Sequence, residues 1–192
     1  SDLSLKMNQK NYKIDSCKLQ YRASDNFFDS SLEMGSTLIS QELDNVNLDL
    51  STTVEAVRYG KSIGIEMGVS FFRSSDVDTF CDEILPDFFK VPSAEALNYE
   101  LIKKLQSYKI PVIVSTGGLD YKKLNELSEN VNFNSNDCIM YCVANYPAAD
   151  GVSIPHFILD YKQIFNCKIG YSSHDTNWEM NIAFLNQDID FI

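Results

Sequence analysis

Residues 88–118 read Phe-Phe-Lys-Val-Pro-Ser-Ala-Glu-Ala-Leu-Asn-Tyr-Glu-Leu-Ile-Lys-Lys-Leu-Gln-Ser-Tyr-Lys-Ile-Pro-Val-Ile-Val-Ser-Thr-Gly-Gly. A largely apolar run, Phe88–Pro92, opens the stretch. The segment Ala96–Tyr108 then places Leu97, Leu101, Ile102 and Leu105 on one face of a helix. That helix must end before Pro111, which leads a second apolar run, Val112–Ser115. Strand, helix and strand at this interval match the crossover that joins two parallel strands. Near-continuous apolar runs, without polar alternation, are what strands buried on both faces require.

The same rhythm continues on either side. Strands are expected at Ser16–Gln20, Ile65–Ser70, Cys138–Ala144, Lys168–Ser172 and Ile189–Ile192. Ser51 precedes a periodic segment with Val54, Val57 and Ile63, and Gly64 is placed to stop it. Leu119–Leu127, Pro155–Phe165 and Thr176–Asn186 also read as helices, the last with Trp178 and Ile182 in contact range. Residues 21–50 break the rhythm: rich in Ser, Asp and Asn and holding Phe27 and Phe28, they read as a long loop with a short helix around Ile39–Leu43. Seven strands with intervening helices leave an open doubly wound sheet or a barrel, and periodicity does not choose between them.

Bulk properties narrow the classes. With 192 residues and 44% apolar content, the chain can fill one core and is too short for two ordinary domains. A complete (β/α)8 barrel needs about 250 residues. The net charge of −11, with no Lys/Arg cluster, argues against nucleic-acid binding. Five Cys, an odd number without a CxxC pair, read as reduced thiols of a cytoplasmic protein. No signal peptide and no 18-residue apolar run is present, so no membrane partner is expected. The opening Ser1 and the closing Asp-Ile-Asp-Phe-Ile, which reads as the start of a strand, suggest a fragment.

In parallel β/α folds the site lies at the C-terminal ends of the strands. Those ends carry Lys18 and Gln20, Ser70, Lys90 with Ser93 and Glu95, Ser115-Thr116-Gly117-Gly118, Asn145 and Tyr146, and Ser172-Ser173-His174. Lys, Ser and Thr together suit an anionic, phosphorylated ligand. A Ser/His/Asp order and a GxGxxG are both lacking, and Gly117-Gly118 alone is weak support for a phosphate loop. Lys18 stands in an otherwise apolar strand, where an unpaired ammonium is costly, so function is the better reading; Lys90 follows the same argument. His174 reads either as a metal ligand or as an ordinary loop hydrogen-bonder, and His156 as a surface residue opening a helix. Ser93, Ser115 and Ser172 are either ligand donors or helix caps, and Tyr146-Pro147 is either site or turn chemistry.

At these strand ends a resemblance spans nearly the whole chain. Phe-Lys-Val-Pro-Ser-Ala-Glu (89–95) resembles the fourth-strand motif of the N-acetylneuraminate (sialic acid) synthase family, usually Phe-Lys-Ile-Ala-Ser-Gly-Glu. Pro-Val-Ile-Val-Ser-Thr-Gly-Gly (111–118), Cys-Val-Ala-Asn-Tyr-Pro-Ala (142–148) and Ile-Gly-Tyr-Ser-Ser-His (169–174) are similar to its fifth-, sixth- and seventh-strand segments. Cys-Lys-Leu-Gln (17–20) is similar to its second-strand Val-Lys-Phe-Gln. Five motifs in the right order and spacing are specific where any one is weak.

The resemblance implies the α/β class and an incomplete (β/α)8 TIM-type barrel, from about the second strand to the start of the eighth, with residues 1–192 as one partial barrel domain. It implies a transferase that condenses phosphoenolpyruvate with an N-acetylmannosamine-type sugar to a nonulosonic acid and phosphate. Lys18 and Lys90 would hold phosphoenolpyruvate; Ser93, Ser115 and Ser172 would donate to its phosphate or carboxylate. Gln20, Glu95 and Tyr146 would lie near the sugar and the reacting carbons, with Ser70 and Asn145 as further substrate contacts. His174 matches one of two His ligands of a divalent metal, manganese or magnesium, which polarises the sugar aldehyde. The family's other metal His, its first-strand Glu and its C-terminal antifreeze-like domain have no counterpart here, so the chain alone is expected to be inactive and the full-length protein a homodimer.

The departures are Ser173 for an Asp, Tyr141 for a His, Phe71 for a Pro, and Pro92 and Ala94 within the fourth-strand motif. Three alternatives stay open: a synthase for legionaminate or pseudaminate, a Schiff-base aldolase using Lys90, and a non-catalytic barrel that binds phosphorylated ligands.

Overall fold

The computed structural model describes residues 15–23, 48–149 and 151–192. The chain divides into two compact units, 1–88 and 89–192. The expected helix around Ile39–Leu43 and the Phe27-Phe28 pair lie outside the described residues.

In the first unit, β1 (Ser16–Gln20) and β2 (Glu66–Ser70) pair in parallel, with Lys18 opposite Gly68 and Gln20 opposite Ser70. The helix α1 (Leu50–Ser62) precedes β2 and buries Thr53, Val54, Val57 and Gly60. Its N-cap is Asp49 rather than the expected Ser51: Asp49 Oδ1 accepts from the Thr52 N–H at 2.7 Å, and Ser51, already helical, donates its hydroxyl to the same carboxylate. Gly64, at φ +80°, ends the helix as its sequence position suggested. Ser16, Cys17, Lys18 and Gln20 are exposed and Leu19 is half-buried, so Lys18 does not stand in a buried strand. Among the described residues of this unit β1 has one strand neighbour, which leaves it an edge.

A short helix, α2 (Ser75–Cys81), follows β2 and was not legible as a periodic segment. It buries Val77 and Phe80, and the rings of Tyr21, Phe71 and Phe80 pack together with centroids 5.3–6.2 Å apart. Phe71, fully buried, therefore does packing work at the position where the resembling family carries Pro.

In the second unit β3 (Phe88–Val91), β4 (Val112–Ser115), β5 (Cys138–Tyr141) and β6 (Lys168–Tyr171) form a parallel sheet in chain order. Between them run α3 (Tyr99–Gln106), α4 (Tyr121–Asn130) and α5 (Phe157–Ile164), and α6 (Trp178–Leu185) follows β6. The helix α3 buries Leu101, Ile102 and Leu105 but starts later than expected, because Ser93–Glu95 form a 3-10 turn and Asn98 is the cap. Asp120 and Asn177 cap α4 and α6 in the same way. On α6 the buried residue is Phe184; Trp178 and Ile182 are 65% and 47% exposed. The seventh expected strand is reduced to one bridge between Gly170 and Phe191, held by the Tyr171 N–H on the Phe191 carbonyl at 2.9 Å. The core includes a ring stack in which Tyr171 lies on Phe184 and both face Tyr141, so Tyr141 fills space where the family has a His.

A recurring device closes the N-terminal ends of the strands. Asp87, just before β3, accepts from the Met67 N–H of β2 at 2.8 Å. Asp137, just before β5, accepts from the Val112 N–H of β4 at 2.9 Å. Asp190, just before the Phe191 bridge, accepts from the Ile169 N–H of β6 at 2.9 Å. Each carboxylate satisfies an amide at the start of the preceding strand. The α/β class, with parallel strands alternating with helices, is thus the one expected.

Candidate functional site

The C-terminal ends of β3 and β4 bring a cation and two hydroxyls into one unit. Lys90 Nζ donates to Ser115 Oγ at 2.5 Å and to the Val91 carbonyl at 2.9 Å. Ser115 is buried. Since the ammonium has no lone pair, the Ser115 proton must be donated to something else. Ser93 sits in the 3-10 turn after β3, and its Oγ accepts from the Gly117 N–H at 3.0 Å and lies 3.3 Å from Cys142 Sγ. The cap residues of this turn and of α3 are Pro92 and Asn98, so the helix-cap alternative fails for Ser93. Gly117 is needed here: a Cβ would come within 2.8–3.0 Å of Cys142 Sγ, Ala144 Cβ and Ser93 Oγ. Thr116, buried below, bonds to the Met140 carbonyl and to the Tyr161 hydroxyl, which fixes the end of β4.

Glu95 accepts from Asn98 Nδ2 at 2.9 Å, which couples it to the α3 cap. The Ser172 N–H donates to the Tyr141 carbonyl at 2.8 Å and leaves its half-buried side chain just past β6. Asn145 and Tyr146 are exposed in the β5–α5 loop, Tyr146 by 81%, and the Tyr146-Pro147 bond is cis.

His174, in the β6–α6 loop, meets that loop three ways. Its Nδ1 lies 2.5 Å from the Val143 carbonyl, its own carbonyl accepts from the Ala148 N–H at 2.9 Å, and the Tyr146 ring lies over its imidazole at 4.0 Å between centroids. A carbonyl only accepts, so Nδ1 carries the proton and a neutral His174 keeps its lone pair on Nε2. That tautomer is the one a metal-ligating His adopts when its other nitrogen is held by a carbonyl, so the residue fits a single-ligand contribution to a divalent ion. Among the described residues no group of three or more His, Cys, Asp or Glu is placed to complete such a site. His156 is exposed, as expected.

In the first unit, Gln20 and Ser70 are register partners at the C-terminal ends of β1 and β2, and Lys18 lies two residues back on the same face as Gln20. Ser70 is buried. The Lys18 side chain reaches solvent, and partial desolvation by the surrounding protein still draws its ammonium below the ordinary value, against an opposing effect of Cys17. A shallow hollow beside the start of α1, lined by Asp49, Val54, Arg58 and Glu83 among others, holds none of the strand-end residues.

Sequence reasoning missed Gly117 as the seat of Ser93, and it missed Ser153, Tyr171 and Asp175, which act on the His174 loop. Asp175 could have been suspected from its place beside His174; Ser153 carries no local signal.

The profile of the NeuB family matches residues 7–187. The chain is 28% identical over 135 residues to N-acetylneuraminate-9-phosphate synthase of Homo sapiens, a match covering 67% of this chain and 36% of that protein. It is 27% identical over 147 residues to N,N'-diacetyllegionaminic acid synthase of Campylobacter jejuni, covering 74% of this chain and 44% of that one. The matched stretches therefore cover less than half the length of these relatives. The N-acetylneuraminic acid synthetase structure from Leptospira borgpetersenii superposes with a TM-score of 0.79 at 16% identity, over 99% of this chain and 66% of that chain. At that identity the likeness shows the fold. No helix among the described residues is long and apolar enough to cross a membrane.

Proposed function

The chain belongs to the NeuB family, and from that premise we propose that it is part of a cytoplasmic synthase, homodimeric at full length, that condenses phosphoenolpyruvate with an N-acetylmannosamine-type sugar to a nonulosonic acid and phosphate. The observation that carries this reading is the Lys90–Ser115 pair beside Ser93 on the Gly117 N–H. It groups one positive charge with two hydroxyls at adjoining strand ends, which suits the phosphate or carboxylate of phosphoenolpyruvate. Lys90 would neutralise the anion, Ser115 and Ser93 would donate to its oxygens, and Tyr146 and Asn145, exposed on their loop, would meet the sugar. By resemblance to the family, Lys18, Gln20, Ser70, Glu95 and Ser172 would be further substrate contacts. A manganese or magnesium ion, when bound with His174 as one ligand, would polarise the sugar aldehyde. The 192 residues by themselves are expected to be inactive, since their described part supplies a single metal ligand of this kind.

The test is phosphate release and product mass from the full-length protein given phosphoenolpyruvate with N-acetylmannosamine, its 6-phosphate or a diacetylated hexosamine in turn. A nine-carbon acid formed with any of them supports the reading, and which one names the sugar. No phosphate release with all three, from folded protein supplied with Mn2+, would overturn it. Borohydride trapping on Lys90 would favour an aldolase instead.

A further inference from the structure

Asp175 follows His174 directly and ties its loop in two directions. Its Oδ1 accepts from the Ser153 hydroxyl at 2.8 Å, and its Oδ2 accepts from the Tyr171 hydroxyl. Ser153 belongs to the β5–α5 loop, which also supplies Ala148, Tyr146 and Val143 to His174. Tyr171 is the last residue of β6, fully buried, with its ring stacked on Phe184. Tyr171 OH also lies 3.1 Å from Ser153 Oγ, so the three groups close a small network. Ser153 is 3% exposed. The backbone bridge between Ala148 and Asp175 runs alongside it.

The consequence falls on the neighbouring imidazole. The bond from His174 Nδ1 to Val143 survives only if the β6–α6 and β5–α5 loops keep their relative position. Tyr171 anchors that arrangement to the core, Ser153 carries it across the gap, and the Asp175 carboxylate is the acceptor they share. Hydrogen bonds to a charged acceptor are the stronger kind and gain further where water is scarce.

We propose that Asp175 is a positioning residue that, through Ser153 and Tyr171, locks the two loops and so holds His174 with its proton on Nδ1 and its lone pair on Nε2. The metal-binding consequence rests on the function proposed above; the tautomer does not.

The experiment therefore reads both. Ring nitrogen shifts of His174 are recorded by NMR for the full chain and for Asp175→Asn, Asp175→Ala and Ser153→Ala, with Asp188→Ala as a surface control. Mn2+ binding is titrated for each on the full-length protein. The wild-type chain should show His174 protonated on Nδ1. The Asp175 variants should show averaging between tautomers and about tenfold or greater loss of Mn2+ affinity, and Ser153→Ala a smaller change in the same direction. Circular dichroism identifies any variant that fails to fold, in which case Ser153→Ala decides. Unchanged His174 shifts in the folded variants would overturn the proposal. If wild-type and His174→Ala proteins bind Mn2+ equally, the metal reading fails while the tautomer result still judges Asp175.

Discussion

The Lys90 ammonium donates to the Ser115 hydroxyl at 2.5 Å, across the parallel strands β3 and β4. A hydroxyl that accepts from a cation is turned so that its own proton points at another acceptor, and an incoming anion oxygen would be such an acceptor. Lys90→Met should weaken phosphoenolpyruvate binding by about tenfold to a hundredfold, the range of one charge-assisted hydrogen bond. Ser115→Ala should cost less, about tenfold, because the charge remains. Equilibrium dialysis with the labelled substrate on the full-length protein measures both.

Gly117 leaves room for Ser93 Oγ, Cys142 Sγ and Ala144 Cβ at distances a methyl group would violate. Gly117→Ala should displace Ser93 from its N–H partner and raise the KM for phosphoenolpyruvate. The stability loss should be about 1–3 kcal/mol, the usual cost of overpacking. Steady-state kinetics beside a thermal melt separates the two effects.

Metal removal gives a third check. Chelation should abolish phosphate release and added Mn2+ should restore it. In His174→Ala the restoration should fail or need far more metal, while the variant melts near the wild-type temperature, since His174 is only half-buried.

Asp137 is fully buried and accepts from the Val112 N–H, the Asn134 N–H, Asn134 Nδ2 and Gln106 Nε2. Asp137→Ala would strand several of these donors without water, at about 1–3 kcal/mol for each buried one. A urea midpoint well below that of wild type is expected, with Asp137→Asn in between.

High pH should also destabilise the protein. The Tyr171 hydroxyl is pushed up to about 12, first by burial and then by its bond to Asp175. Between the ordinary tyrosine value near 10 and about 12 the unfolded chain has lost this proton and the folded chain keeps it. Stability therefore falls as pH rises through that window, and below it the contribution is fully present. Tyr171→Phe should flatten the decline, as read by denaturant titrations on either side of pH 10.

The strands were legible because buried parallel strands need unbroken apolar runs. Val112–Ser115 matches residue for residue and Phe88–Pro92 overruns by one, while Ser16–Gln20 matches although its strand is exposed. Cys138–Ala144 was read three residues too long, since the ladder stops where Tyr141 meets Tyr171 and the apolar Cys142, Val143 and Ala144 belong to a loop. The seventh strand survives only as the Phe191 bridge. The helix α2 was missed because seven residues are too few to display a period.

The site was legible as residue types at strand ends, and Lys90, Ser93, Ser115 and His174 do carry specific contacts in the second unit. What sequence could not supply was who holds whom. Ser153 and Asp175 are far apart along the chain and meet only because two loops run side by side. The buried-lysine argument for Lys18 failed because Ser16, Cys17, Lys18 and Gln20 are exposed.

The aspartates that precede β3, β5 and the Phe191 bridge fall on every second strand, and each reaches back to the strand before it. Within the second unit this gives the sheet alternating seams: an aspartate staples β4 to the start of β5, whereas β3–β4, apart from the Lys90–Ser115 bond, and β5–β6 rely on ladder bonds and side-chain packing. Such a sheet should come apart in doublets, so amide exchange would open the unstapled seams first. A lineage that lengthens or recombines this architecture would find two-strand blocks the easiest pieces to exchange, because each block arrives with its own fastening.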